Sequence, residues 1–226
     1  MNKDYTHVAM IIDRSGSMSS CWSDVKGGYK EIVKTNKNAP GKCTFTVAAF
    51  DTEYTLLEDF VDIQAVKDNL DVCPRGGTAL LDAIGRTIVS VGERLKNMKK
   101  KERPAKVMVI IQTDGYENAS KEFKKDDIKR MINTQTEEYN WQFQFIGASL
   151  DSVNEAQSWG IRGGCTSTYS TEKSLDTFTL LGSKMLSARS APDMVAYAAC
   201  CSFSDDDRKI LNEEKEKVKT TTTNTK

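Results

Sequence analysis

Three oxygen-bearing side chains follow the first strongly apolar segment of this chain at alternate positions. Asp13, Ser15 and Ser17 come directly after the apolar run at residues 8–12, and Gly16 separates the two serines. A tight loop at the end of a strand would let a carboxylate and two hydroxyls point at a single position. Hard oxygen ligands suit a hard divalent cation, and Mg²⁺ suits them best. The segment therefore predicts a cation-binding loop.

Two later loops also place oxygen ligands beside predicted strands and helices. Thr78 follows Gly76 and Gly77 just before a long helical pattern, and Asp114 follows the most apolar segment of the chain. Taken singly, Thr78 could cap a helix and Asp114 could form a turn. In an open parallel sheet, however, ligands collect at the carboxyl ends of the strands. Together the three loops would supply two carboxylates and three hydroxyls to one edge of the sheet.

Apolar runs and helical patterns alternate along the chain. We predict strands at residues 8–12, 45–50, 54–61, 107–111, 143–146 and 166–169, and helices at 22–36, 79–97, 125–139, 151–159 and 172–188. Strands separated by helices predict parallel pairing with helices on both faces. The connection at residues 51–53 is too short for a crossover, so the strand that follows it should run antiparallel at an edge. The expected fold is α/β, a doubly wound and mostly parallel six-stranded sheet that is Rossmann-like.

The regular pattern ends near residue 189, which suggests a boundary. We predict a main domain over residues 1–190, a partly helical C-terminal extension over 191–219, and a disordered tail over 220–226 that has no apolar residue to bury. In the extension, Ser204 before three aspartates is typical of a capped helix start. A chain of 226 residues has enough material for a sizeable core.

The composition argues against several classes of protein. Acidic and basic residues balance at 32 each, which disfavours partners such as nucleic acid or an anionic membrane. No apolar stretch reaches the roughly 20 residues that span a bilayer, and residues 1–6 lack the apolar core of a secretory signal. The six cysteines form no Cys-x-x-Cys pair and are expected to be reduced thiols. The single histidine, His7, is expected only to open the first strand, and we expect a cytoplasmic protein.

The three loops resemble the motifs of a known family. The segments Asp13-Arg-Ser-Gly-Ser-Met18, Gly76-Gly-Thr-Ala-Leu-Leu-Asp-Ala-Ile84 and Thr113-Asp-Gly115 are similar to those of the von Willebrand factor type A (vWA) domain. The resemblance extends from about residue 7 to residue 188. Within the family, residues 113–118 and 141–148 resemble the intracellular prokaryotic and phage-type members.

The resemblance implies a metal-ion-dependent adhesion site (MIDAS). Ser15, Ser17 and Thr78 would bind Mg²⁺, or else Mn²⁺ or Ca²⁺, through their hydroxyls, and Asp13 and Asp114 would bind it directly or through water. Two carboxylates roughly neutralise a dication, and its octahedral shell still needs an outside ligand, such as a carboxylate from a protein partner. The expected function is a metal-dependent protein–protein interaction module rather than an enzyme, because these loops offer no evident general base.

One alternative keeps the cation and adds catalysis. A strand-terminal aspartate beside Mg²⁺ could serve a Mg²⁺-dependent phosphohydrolase as its nucleophile, with Asp13 in that role. Such enzymes usually carry a second carboxylate two residues on, where this chain has Ser15. Nucleotide binding is disfavoured because no glycine-rich phosphate-binding pattern follows a strand. The identity of the partner, the oligomeric state and the physiological cation stay open.

Several polar residues near these loops have two open interpretations. Asp82 could orient the metal loop, or it could serve in capping or bond to a neighbouring loop. Asn118 and Ser120 could shape the rim of the site or cap the segment that follows them. Asp51 is expected only to form the turn that it begins. Trp22 is expected to pack in the core rather than to contact a partner.

Overall fold

The computed structural model describes residues 1–212, and within them six strands form one sheet. The strands are β1 (Asn2–Asp13), β2 (Lys42–Phe50), β3 (Tyr54–Asp62), β4 (Pro104–Thr113), β5 (Gln142–Gly147) and β6 (Thr166–Thr168). Their spatial order is β3-β2-β1-β4-β5-β6. The β2–β3 pair is antiparallel and the other pairs are parallel. The predicted sheet with its antiparallel edge strand is confirmed.

Helices cover both faces of this sheet. They are α1 (Trp22–Lys37), α2 (Leu80–Asn97), α3 (Lys125–Tyr139), α4 (Leu150–Ser158), α5 (Ser174–Ser190), α6 (Met194–Cys200) and α7 (Asp205–Asn212). Val8, Met10 and Ile12 of β1 pack in the cluster formed with α1 and α5, whereas Ala9 and Ile11 pack in the cluster formed with α2, α3 and α4. Because successive strand side chains point to opposite faces, a strand buried on both sides is a continuous apolar run. The doubly wound α/β fold is therefore confirmed.

The observed bounds differ from the predicted ones mainly at β1. The apolar pattern predicts a strand from residue 8, whereas β1 begins at Asn2. Residues 2–4 are polar and exposed, so no burial pattern marks them, yet Asn2 pairs with Pro104 of β4. The other predicted strands and helices agree with the structure to within about three residues at each end.

The two short C-terminal helices pack against α5 and β6. Tyr197, Phe203 and Leu211 are buried in the same apolar cluster as α1 and α5. Lys184 of α5 pairs with Asp207 of α7 at 2.7 Å, and both side chains are largely buried. The predicted domain boundary at residue 190 stays a prediction. Residues 213–219 of the predicted extension and the predicted tail at 220–226 lie outside the described residues.

The structure also bears on the cysteines and on membrane association. All six cysteines have free thiols, and most of them are buried. Through residue 212, none of the helices is both long and apolar enough to cross a bilayer. The four buried cysteines are part of the two apolar clusters and contribute to packing.

His7 lies fully buried within β1, not at the start of the strand as the sequence suggested. Its Nδ1 atom is 2.9 Å from the Thr44 hydroxyl, and its ring stacks on Phe60 with the ring centres 4.0 Å apart. Burial lowers the pKa of His7 from 6.5 to about 3. The imidazole is therefore neutral in the folded protein at mildly acidic pH.

We expect this buried imidazole to make the protein less stable as the pH falls. Below a pH of about 6.5, His7 binds a proton in the unfolded chain but not in the folded chain. The contribution of the neutral imidazole to stability is therefore fully present above that pH and is lost as the pH falls toward 3. From about pH 7.5 to about pH 5, the group should lower the free energy of unfolding by ~2 kcal/mol. Urea unfolding of His7→Gln should lack this part of the pH dependence. An identical pH dependence in both proteins would contradict the prediction.

Candidate metal site

The candidate site lies at the carboxyl ends of β1 and β4. A short 3₁₀ turn at Gly16–Ser20 follows β1, and just before it the Ser15 amide donates a hydrogen bond to Asp13 Oδ1 at 2.6 Å. The Ser15 and Ser17 hydroxyl oxygens are 3.1 Å apart. Ser17 Oγ also donates to Asp114 Oδ1 at 2.7 Å. Direct contacts thus join four of the five predicted ligands, although Asp114 is distant in the chain.

Thr78, the fifth predicted ligand, lies beside the loop that follows β4. A Cβ atom added to Gly115 would be 2.9 Å from Thr78 Oγ1 and 3.7 Å from Asp13 Oδ2. Glycine therefore lets the backbone approach both side chains closely at this position. The structure brings the five residues together at one edge of the sheet, and their role as metal ligands stays a prediction.

Thr78 does not cap α2, which was the alternative explanation for this residue. The helix begins at Leu80, and Ala79 before it provides no side-chain cap. Instead, Glu117 in the loop after β4 accepts a hydrogen bond from the Leu81 amide at 2.9 Å. A carboxylate at a helix N-terminus satisfies free amides and interacts well with the helix dipole. The Thr78 hydroxyl is therefore free of a capping role.

The loop after β4 also fixes the backbone of Thr78. Asn118 Oδ1 accepts a hydrogen bond from the Thr78 amide at 2.9 Å, and the Asn118 amide donates to the Thr78 carbonyl at 3.0 Å. The Asp82 carboxylate accepts three amide hydrogen bonds at 2.9 Å from residues 121–123. Ser120 Oγ accepts one from the Asp82 amide at 3.1 Å. Asn118 thus positions Thr78, while Asp82 and Ser120 hold the loop against α2.

Thr113 is a contributor that sequence reasoning missed. Its Oγ1 atom donates to Asp13 Oδ2 at 2.5 Å and accepts from the Gly115 amide at 3.1 Å. It therefore orients the Asp13 carboxylate from the neighbouring strand. The position of Thr113 directly before Asp114 was the available signal, but its partner is 100 residues away in the chain.

Two other interpretations have clear outcomes. Asp51 does form its turn, since Asp51 Oδ1 accepts from the Glu53 amide at 2.6 Å, but its carboxylate is also fully buried and pairs with two arginines. The expectation that Asp51 only forms a turn was wrong, because the arginines come from elsewhere in the chain.

Trp22 is buried, and its Nε1 atom donates to the Val72 carbonyl at 3.1 Å. The packing role of Trp22 is confirmed.

Burial dominates the electrostatics of the two acids. It raises the pKa of Asp13 to about 6; hydrogen bonds from Thr113 and Ser15 oppose this rise, and the Asp114 charge adds to it. Burial also raises the pKa of Asp114, and the hydrogen bond from Ser17 opposes that rise. Within residues 1–212, no lysine or arginine forms an ion pair with either carboxylate. A bound cation would therefore offset an unfavourable concentration of negative charge.

The donor atoms fit a hard divalent cation. Carboxylate and hydroxyl oxygens suit Mg²⁺, Ca²⁺ and Mn²⁺ better than they suit soft metals. In the described part of the chain, no group of three or more His, Cys, Asp or Glu side chains could hold a metal ion. Hydroxyls would thus have to supply a large share of the ligands, as they can at this edge of the sheet.

Solved structures share this fold, although no protein-family model and no curated protein matches the sequence. Proximal thread matrix protein 1 from the mussel byssus, in a form with a zinc-occupied MIDAS motif, is 21% identical with a TM-score of 0.54, over 88% of this chain and 47% of its own. A von Willebrand factor type A structure from Catenulispora acidiphila is 17% identical with a TM-score of 0.54, over 82% of this chain and 43% of its own. Manganese-loaded TRAP protein from Plasmodium vivax is 14% identical with a TM-score of 0.54, over 77% of this chain and 72% of its own.

These structures define the class of fold. The chain has the fold of a vWA domain, and the fold that the resemblance implied is confirmed. It spans a little under half the length of the mussel and Catenulispora chains that it matches. Its resemblance to the intracellular members in particular stays a prediction.

Proposed function

We propose that this protein is a divalent-cation-dependent protein–protein interaction module that acts in the cytoplasm and is not an enzyme. The cation, which we propose to be Mg²⁺, would be held by Asp13, Ser15, Ser17, Thr78 and Asp114. The observation that carries the proposal is the convergence of these side chains: Ser17 contacts both Ser15 and Asp114, and Thr78 lies against the loop that contains Asp114.

The charge of the site favours an acidic partner. Two carboxylates roughly neutralise a dication, and the three hydroxyls add no charge. Mg²⁺ prefers six oxygen ligands and keeps water in positions that the protein does not fill. A carboxylate of a partner protein could replace such a water with a charged oxygen. The partner should therefore present an aspartate, a glutamate or a C-terminal carboxylate.

Two of the similar structures support a cation in this kind of fold. The mussel protein has zinc in its MIDAS motif, and the Plasmodium protein is manganese-loaded. Both ions are divalent, and Mn²⁺ shares the preference of Mg²⁺ for oxygen ligands. These likenesses support a divalent cation here, and the choice of Mg²⁺ rests on the hard oxygen ligands of this chain.

The geometry of Asp13 favours binding over phosphoryl transfer. Its side chain is fully buried, Oδ1 accepts from the Ser15 amide, and Oδ2 accepts from the Thr113 hydroxyl. A nucleophilic carboxylate needs an oxygen that can reach the phosphorus atom of a substrate. These contacts and the burial fix the carboxylate away from the surface that a substrate would reach, so we propose that Asp13 helps to hold a cation, directly or through water, and does not attack a substrate.

Affinity purification from the native host tests the proposed function. The wild-type protein and Thr78→Val would each be used as bait in Mg²⁺ and again in EDTA. We expect a partner that the wild-type protein retains in Mg²⁺, that EDTA releases, and that Thr78→Val does not capture. Replacing the acidic residues of that partner by their amides should abolish binding. Capture that is unaffected by chelation would contradict the proposal.

A further inference from the structure

Beside the candidate site, a buried carboxylate holds two arginines from different loops. Asp51 follows β2 and is fully buried. Its Oδ2 atom is 3.1 Å from Arg14 Nε and 2.9 Å from Arg75 Nε. Arg75 also pairs with Glu53 at 2.5 Å, and Arg14 donates to the Thr55 hydroxyl at 2.9 Å. We call Arg14, Asp51, Glu53 and Arg75 the arginine cluster.

Backbone hydrogen bonds connect the arginine cluster to both loops of the site. The Arg75 amide donates to the Arg14 carbonyl at 2.9 Å, and the Ala79 amide donates to the Asp51 carbonyl at 2.8 Å. The Gly16 amide donates to the Gly76 carbonyl at 3.1 Å. Each of these bonds involves a residue within three positions of Ser15 or Thr78. The cluster therefore anchors the peptide segments that carry these two hydroxyls.

The arginine cluster also keeps a positive charge away from the proposed ligands. Arg14 directly follows Asp13 in the chain, yet its guanidinium group is buried against Asp51 on the β3 side. The two arginines balance Asp51 and Glu53, so the cluster has no formal net charge. A neutral cluster contributes little electrostatic potential at the position of the cation. The negative charge of Asp13 therefore remains available to a metal ion.

We propose that the arginine cluster is a positioning device that places the Thr78 hydroxyl against the Ser15–Ser17 turn and so sets the affinity of the site for its cation. This inference rests on the proposed function. Arg75 is the member best suited to a test, because its side chain is 58% exposed and Arg14 would still neutralise Asp51 if Arg75 were removed. Loss of Asp51 itself would leave a buried arginine without a partner and could unfold the protein.

Titration of Arg75→Met with Mg²⁺ tests the role in affinity. Loss of a positive charge near the site should by itself tighten cation binding. If Arg75 positions the Thr78 segment, its loss should instead weaken Mg²⁺ binding. We expect binding about tenfold weaker, as for other residues that orient metal ligands. The matched control is Arg86→Met, which removes another half-exposed arginine, one that pairs with Glu122 and not with Asp51. The control should bind Mg²⁺ as tightly as the wild-type protein or more tightly.

Amide hydrogen exchange in EDTA tests the positioning without any metal. In Arg75→Met we expect exchange at Gly16, Ala79 and position 75 to become about tenfold faster, while the centre of β1 stays protected. Unchanged or tighter Mg²⁺ binding, or unchanged exchange, would overturn the positioning role. A wild-type protein that binds no Mg²⁺ would overturn the proposed function instead, and the exchange rates would still decide whether the cluster holds the loop.

Discussion

Asp114→Asn is expected to weaken Mg²⁺ binding by at least about 100-fold, because residues that merely orient ligands already contribute roughly 10- to 100-fold. Asparagine keeps the oxygen that accepts the hydrogen bond from Ser17 and removes one of two carboxylate charges. The remaining charge on Asp13 cannot neutralise a dication. Isothermal titration with Mg²⁺ measures the effect, and thermal unfolding in EDTA should show that the metal-free fold is retained.

Asp151→Asn is the matched control for this prediction. Asp151 is exposed in α4 at the same edge of the sheet, where the Tyr116 hydroxyl lies 3.5 Å from its Oδ2 atom. The substitution makes the same change of charge without touching a proposed ligand. Its Mg²⁺ affinity should stay within about twofold of wild type, since separated surface charges are screened by salt. If the two variants bound Mg²⁺ equally well, Asp114 would not be a ligand.

Gly28→Ala is expected to lower the free energy of unfolding by about 3 kcal/mol, at the upper end of the range for overpacked cores. Gly28 lies where α1 packs against α5. A Cβ atom there would be 2.3 Å from Cβ and 2.8 Å from Cγ of Phe178, which is fully buried. Neither helix can move away without disturbing the apolar cluster that α1 and α5 form against the sheet. Urea unfolding at neutral pH measures the change.

Gly27→Ala makes the same chemical change one residue earlier and should have the opposite effect. A Cβ atom at Gly27 would meet only the Leu175 side chain, at an ordinary contact distance of 3.8 Å. Alanine favours a helix interior over glycine, so this variant should gain about 0.5–1 kcal/mol. Equal stabilities of the two variants would show that α1 and α5 are not as closely packed as described.

Local patterns in the sequence predicted the sheet and the location of the site. β4 and the centre of β1 are continuous apolar runs, and Asp13 and Asp114 directly follow or end them, so their common edge could be inferred. Thr78 was identifiable from the two glycines before it. These features depend on neighbouring residues, which is why the chain alone reveals them.

The support around the site could not be predicted in the same way. Glu117 caps a helix that begins 37 residues earlier. Asp51 pairs with Arg14 from the loop after β1 and with Arg75 from a later loop. His7 sits in a strand whose polar first residues have no burial pattern. Such partners are chosen by tertiary packing, so neither spacing nor hydropathy reveals them.

The way in which α6 and α7 cover α5 has a practical consequence for anyone who shortens this chain. Cutting after Ser190 would remove Tyr197, Phe203 and Leu211 and leave their apolar neighbours facing water. Uncovered surface of this kind promotes self-association. Fragments intended for crystals or binding assays should therefore run at least through Asn212.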